Sequence, residues 1–114
     1  MKNFVAYQVA LQATRQLAGC LALIKCKDRD LDKQLRRAMQ SVVLNLAEGN
    51  RRRGQDRVHL FRIAAGSAAE VQAGLDVAEA WGYLDADKVA PVRDQLDSVL
   101  GMLYRLTEGK RQSA

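Results

Sequence analysis

Aromatic and tight-turn residues are scarce in this chain. Its 114 residues include one Trp, three Tyr, two Phe and a single proline. A sheet would want more β-branched and aromatic side chains and more turn dipeptides, so the composition suits closely packed helices better than a sheet. Cysteine is also scarce. Cys20 and Cys26 are too few for a disulfide framework and lack the spacing of a metal-ligand set. Cys20 reads as a small core residue and Cys26 as a helix-end residue, and the pair points to a reducing compartment. No long hydrophobic run is present. The longest, around Leu17–Ile24, is far shorter than the ~20 residues that cross a bilayer. Gln8, Gln12, Arg15 and Gln16 interrupt the amphipathic N-terminal segment, which therefore reads as neither signal peptide nor membrane span. The expectation is a cytoplasmic protein with no membrane contact.

What the chain has is alanine-rich apolar sequence, 48% hydrophobic overall, in four helix-period segments. Residues of about 3–25 carry Phe4, Tyr7, Leu11, Thr14, Ala18 and Leu21 on one face, with Gly19 expected to admit a close neighbour. Residues of about 31–48 carry Leu31, Leu35, Ala38, Val42 and Leu46, widened by Met39 and Val43. Asp28 or Asp30 is the expected N-cap, and Gly49 the expected left-handed C-cap. Residues of about 56–81 carry Leu60, Ala64, Ser67, Val71, Leu75 and Ala78, with Asp56 as cap and Gly82 as terminator. The small run from Ala64 to Ala69, including Gly66, should let a partner helix come close. Residues of about 87–108 carry Val89, Val92, Leu96, Val99, Leu103 and Leu106, with Pro91 in the first turn and Asp85 and Asp87 as capping residues. Residues 109–114 read as a frayed basic tail.

Four such segments joined by short turns predict one domain over 1–114, an all-α antiparallel up-down-up-down four-helix bundle. Val5, Val9, Leu17, Leu100 and Tyr104 lie beside the main rows and predict a subunit interface.

Charge is unevenly spread around a total of +5. Residues 1–50 hold eight basic and four acidic side chains, residues 51–62 five and one, and residues 63–114 five and eight. The turn between the second and third segments therefore bears Arg51, Arg52, Arg53, Arg57 and Arg62, with Arg36 and Arg37 earlier on the second segment. Such a cluster suits a phosphate backbone, and it equally suits a solvated tip.

Polar residues also interrupt the apolar pattern on both sides of that turn. Ser41, Asn45 and Glu48 fall at i, i+4 and i+7, so they line one side of a helix. They should face the first half of the next helix, with Phe61, Ala65 and either Ser67 or Arg62 nearby. Their expected role is to set hairpin register, with Asn45 bridging the interface and Glu48 compensated by Arg52, Arg57 or Arg62. Glu70 either faces solvent or pairs with Arg36 or Arg37.

Several chemistries fail. Gly49 and Gly54 have phosphate-loop spacing, but Gln55 and Asp56 stand where lysine and a hydroxyl are needed, and no strand precedes them. The lone histidine, His59, has no nucleophile–base–orienter arrangement with Ser67 or Cys20. No catalytic residue, metal set or cofactor is expected, and the chain reads as not an enzyme.

The order Ser41…Asn45-Leu-Ala-Glu48-Gly49, an arginine turn, then Phe61…Ile63-Ala64…Gly66-Ser67…Glu70…Leu75…Ala78…Gly82-Tyr83 resembles the four-helix-bundle proteins encoded in intervening sequences of bacterial 23S ribosomal RNA genes. The resemblance covers nearly the whole chain. It implies an up-down bundle and a ring-shaped homopentamer. The chain also looks like the accessory protein of diversity-generating retroelements, a related basic pentamer that binds nucleic acid and a reverse transcriptase. One departure is the approach to the third helix, Gly54-Gln55-Asp56-Arg57, where the family usually has Ser, Thr or Lys-Glu.

Two functions follow as expectations. One is a non-enzymatic oligomer that contacts RNA or DNA phosphates through the arginine turn. The other is a protein-interaction scaffold in which the arginines serve solubility or steering.

Overall fold

The computed structural model describes residues 4–109. Among them are four helices: α1 (Val5–Lys25), α2 (Arg29–Asn50), α3 (Gly54–Ala80) and α4 (Ala86–Tyr104). A π-turn, Arg105–Gly109, continues α4. No strand occurs among the described residues. Sequential helices pack side by side and α4 closes back on α1, giving the expected up-down bundle, 47 × 22 × 22 Å in extent. The tail 110–114 and the start of the first segment at residue 3 lie outside the described residues.

Local chemistry sets the helix ends. Asp28 caps α2 by accepting from the Leu31 amide at 3.0 Å, which satisfies one of the orphan donors of the first turn. Asp85 does the same for α4 through the Lys88 amide at 3.2 Å; Asp87 lies in the first turn instead. At the end of α3, Tyr83 N–H reaches the Ala78 carbonyl at 2.8 Å and Gly82 N–H the Glu79 carbonyl at 2.9 Å. Gly82 has φ +78° there, the left-handed residue of a Schellman closure.

Three expected ends are corrected. Gly49 is not a left-handed cap: it is buried inside α2, which runs on to Asn50. An added Cβ at Gly49 would meet the Phe61 ring at 2.6–2.7 Å, so the glycine serves close helix approach. Asp56 is not the cap of α3 either. The N-cap is Arg53, with no side-chain bond, and Gly54 follows at φ +61°. Asp56 lies in the first turn, where its charge favours the dipole. Pro91 is the sixth residue of α4, beyond the first turn. It is exposed, so the carbonyl left without a donor is on the wet side of the helix.

The core is one cluster drawn from all four helices. In α2, α3 and α4 the expected rows are buried, with Val43, Leu60 and Leu106 at half-buried margins and Phe61 and Ala68 fully inside. The row in α1 is corrected. Ala6, Ala10, Ala13, Leu17, Cys20 and Ile24 face the core, joined by Leu21. Phe4, Tyr7, Leu11 and Thr14 are half-buried and Ala18 is exposed. The row of small residues lets α1 sit close to its neighbours, and the larger side chains flank the seam. Leu17 belongs to this core, not to an outer face, while Val9 and Leu100 are half-buried. Gly19 is exposed, with only the Lys88 ammonium near its missing Cβ at 3.8 Å, so no helix comes close there. The close approach falls at Gly74 on α3, which lies against the Leu35 side chain. Gly66 faces open space.

Between α3 and α4, polar contacts supplement the apolar seam. Arg93 bonds Glu79 at 2.7 Å and Asp76 at 2.8 Å, and Gln72 bonds Asp97 at 2.8 Å. The Glu79 bond is the main reason the Arg93 guanidinium holds its proton more tightly than usual, with burial opposing and Asp76 assisting.

Candidate functional site

The α2–α3 turn is three residues long, Arg51–Arg53, and its shape is fixed by backbone bonds. Arg51 N–H bonds the Glu48 carbonyl and Arg52 N–H the Gly49 carbonyl, both at 3.1 Å. Arg53 is extended and Gly54 left-handed. These two conformations reverse the chain, so the three arginines and Gln55 project from the end of the bundle, all exposed.

Beneath the turn sits a packed anchor. Phe61 is fully buried, and Phe4, the N-cap of α1, packs its ring on it at 5.8 Å between ring centroids, tilted by 34°. The Arg57 guanidinium lies 5.2 Å from the Phe61 centroid, within cation–π range. Phe61 therefore ties the start of α1, the end of α2 and the start of α3 together under the arginines.

The guanidinium groups differ in what they already hold. Arg52 reaches Glu48 at 3.0 Å, one turn away on the same side of α2. That contact answers the unfavourable placement of a carboxylate near a helix C-terminus. Arg62 bonds Glu108 of the π-turn at 2.8 Å. Arg51 and Arg53 make no ion pair among the described residues. Arg36 and Arg37 lie about 20 Å further down α2, at ~1.5 Å per residue, so the fold does not bring them to the turn. Arg36 is held by Asp32 at 3.2 Å, a carboxylate that is itself only 7% exposed. Arg37 is exposed and makes no ion pair among the described residues.

The polar motif forms a seam rather than a pocket. Ser67 of α3 donates to Ser41 Oγ at 2.7 Å. Asn45 does not cross the interface. Its amide donates within α2, to the Ser41 carbonyl at 2.9 Å and to Ser41 Oγ at 3.1 Å. Glu70 is exposed and pairs with neither Arg36 nor Arg37; it borders a shallow groove of about 280 Å³ with Leu35, Ala38, Gly74 and Val77. His59 is exposed on α3.

Two participants escaped sequence reasoning. Glu108 reaches the arginine cluster from 46 residues away, and no local pattern marks that meeting. Trp81, 69% exposed, caps the far end of α3 one helical turn after the exposed Val77. A tryptophan directly before a helix-ending glycine was the available signal for it. Among the described residues, no three His, Cys, Asp or Glu side chains cluster so as to hold a metal ion, and no helix is long and apolar enough to cross a membrane.

Comparison with known proteins gives two findings. A family model described as 23S rRNA-intervening sequence protein matches residues 2–105. A crystal structure from Bacteroides thetaiotaomicron, a protein of unknown function from the S23 ribosomal protein family, shares the fold with a TM-score of 0.80 at 16% identity. The match covers 90% of this chain and 98% of that one. Among curated proteins none matches.

Proposed function

The chain belongs to the 23S rRNA-intervening sequence protein family, and from that premise we propose a non-enzymatic, oligomeric protein that contacts RNA phosphates through its α2–α3 turn. The observation that carries the reading is the state of Arg51 and Arg53: exposed, without ion-pair partners among the described residues, on a turn held rigid from below by Phe61. Guanidinium forks in that state match the geometry of phosphate oxygens. With no exposed aromatic side chain in the turn itself, the contact is to the backbone and carries no base preference. Such binding weakens steeply with salt, because each neutralised phosphate releases counterions.

Anisotropy titration of a fluorescein-labelled RNA hairpin over a series of KCl concentrations tests this. The wild type should bind with a steep salt dependence, and an Arg51/Arg52/Arg53→Ala variant should bind weakly with a shallower slope. Equal, salt-insensitive binding by both would remove the turn from the reading. Self-association, a pentamer by family resemblance, belongs to the same proposal. Val5, 60% exposed, supports it as apolar surface at the arginine end of the bundle. Light scattering coupled to size exclusion decides that part, and a strict monomer would end it. The proposed location is the cytoplasm, which cell fractionation tests.

A specific observation favours a second reading, a protein-interaction scaffold. Val77, 43% exposed, lines the α2–α3 groove, Trp81 follows one helical turn later, and exposed tryptophan is a residue type that anchors interfaces. Affinity purification with nuclease treatment separates the two. A partner that survives nuclease and is lost in Trp81→Ala supports the scaffold.

A further inference from the structure

The Arg62–Glu108 ion pair spans 46 residues of chain and fastens the C-terminal π-turn to the basic end of α3. Arg62 stands five residues beyond Arg57, about 8 Å along the helix, so it belongs to the same charged end. The π-turn rests on α4 and α3. Inside it, Thr107 is buried and donates to the Leu103 carbonyl at 2.8 Å, and Leu106 packs at the core margin. Glu108 is what the turn offers to the arginines. Its side chain and that of Arg62 are 32% and 49% exposed, so solvent and solutes reach the bond.

A carboxylate on a guanidinium occupies the same donor fork that a phosphate takes. We propose that Glu108 is a built-in competitor: a nucleic-acid phosphate arriving at Arg62 displaces it, and the displacement loosens the π-turn. This rests on the phosphate-contact reading above. Glu48 on Arg52 competes in the same way, but that pair joins the last turn of α2 to the residues directly after it, and its rupture releases no other element. Breaking Arg62–Glu108 removes the ion pair between the π-turn and α3 and leaves the packing of Leu106 and Thr107 to hold it. Binding at the arginine end is thereby linked to the mobility of the π-turn.

Linkage gives a quantitative signature. In the wild type, salt also screens the Arg62–Glu108 pair that competes with the phosphate, which offsets part of the salt dependence of the Arg62 contact. With the competitor neutralised, that offset vanishes and the full contact, ~0.7–0.9 in the log–log salt slope, appears. The test titrates the RNA hairpin against the wild type, Glu108→Gln and Asp94→Asn. The last makes the same charge change about 20 Å down α4, roughly two Debye lengths at 0.1 M salt.

Glu108→Gln should bind about threefold tighter at low salt with a steeper slope, and Asp94→Asn should follow the wild type. Hydrogen exchange on the wild type supplies a readout independent of any variant: amides of residues 105–109 should exchange faster when RNA saturates the protein. Glu108→Gln matching the wild type or Asp94→Asn, or unchanged or slower exchange in the π-turn, overturns the competitor while leaving phosphate binding in place. No binding by any of the three proteins overturns the phosphate reading and the competitor with it.

Discussion

Ser67 donates its hydroxyl proton to Ser41 Oγ across the α2–α3 seam, at 2.7 Å. Ser41 Oγ also receives the Asn45 amide at 3.1 Å, so one hydroxyl on α2 serves a neighbour on its own helix and one on the next. Ser67 is buried and Ser41 half-buried, where an unpaired hydroxyl costs more than a paired one contributes. The seam therefore fixes which turn of α3 lies opposite which turn of α2. That register places Phe61 against Gly49 and the arginines at the bundle end.

The two serines should be unequal on removal. Ser67→Ala deletes one donor and should cost about 0.5–1.5 kcal/mol. Ser41→Ala leaves both Ser67 and an Asn45 proton without their acceptor and should cost more, about 1–3 kcal/mol. The double variant should be less destabilised than the sum of the singles, since neither partner then strands the other. Urea denaturation of the four proteins measures the coupling, and strict additivity would mean the bond contributes nothing to register.

Gly49 is the tightest steric point beneath the turn. An added methyl meets Cε1 and Cδ1 of Phe61 at 2.6 and 2.7 Å. The ring cannot swing aside, because it is fully buried and stacked on Phe4. Gly49→Ala should therefore destabilise by about 1–3 kcal/mol, the usual range for overpacking, despite alanine's better helix propensity. A Gly49→Ala protein as stable as wild type would mean the α2–α3 seam opens there without loss.

Much of this fold is legible in the sequence, for a physical reason. Large apolar residues at three-four spacing in α2, α3 and α4 have only one face to bury, so their rows read directly. In α1 two rows interleave, one with the larger side chains (Phe4, Tyr7, Leu11) and one of small ones (Ala6, Ala10, Ala13). Size favours the first in a sequence reading, and close helix packing favours the second in the folded bundle. Gly49 is ambiguous for a related reason: a glycine near a helix end suits a left-handed cap or a tight contact equally, and the distant Phe61 decides. A polar α2–α3 seam is legible because polar residues interrupt an apolar pattern, but the longer Asn45 reads as its bridge, whereas in the fold Asn45 bonds its own helix and the two serines cross. Glu108 on Arg62 was not, since two charged surface residues 46 positions apart carry no sign of their meeting.

Tyr83 links the α3–α4 turn to the start of α2, donating to Asp28 Oδ2 at 3.1 Å while Asp28 also caps α2. Desolvation first, then the hydrogen bond and charge of Asp28, raise the Tyr83 phenol above its ordinary value of 10.0. A group that binds its proton more tightly when folded stabilises the fold fully below the unfolded pKa. That contribution disappears as pH rises through the folded pKa. The loss should fall above about pH 10. Thermal melts of wild type and Tyr83→Phe across pH 8–11 (a range set by the tyrosine reference value) should show a gap that narrows at the alkaline end. A gap constant with pH would remove the Asp28 bond from the stability of this end.

The two cysteines give a direct probe of whether the α1–α4 seam opens. Cys20 is 1% exposed, and its thiol lies 3.6 Å from the Lys88 carbonyl. Burial pushes that thiol up, with the Lys88 charge opposing, so both access and thiolate fraction are low. Cys26 is exposed just beyond the end of α1. Since the thiolate is the reactive form, iodoacetamide on the native protein at neutral pH should alkylate Cys26 alone, giving a single mass adduct. The second adduct, at Cys20, should appear only in denaturant. Its rate in sub-denaturing urea then reports the opening free energy of the seam, because Cys20 cannot react until α1 and α4 part. Native labelling of Cys20 at the rate of Cys26 would mean that the alanine-lined face of α1 is not held against α4 in solution.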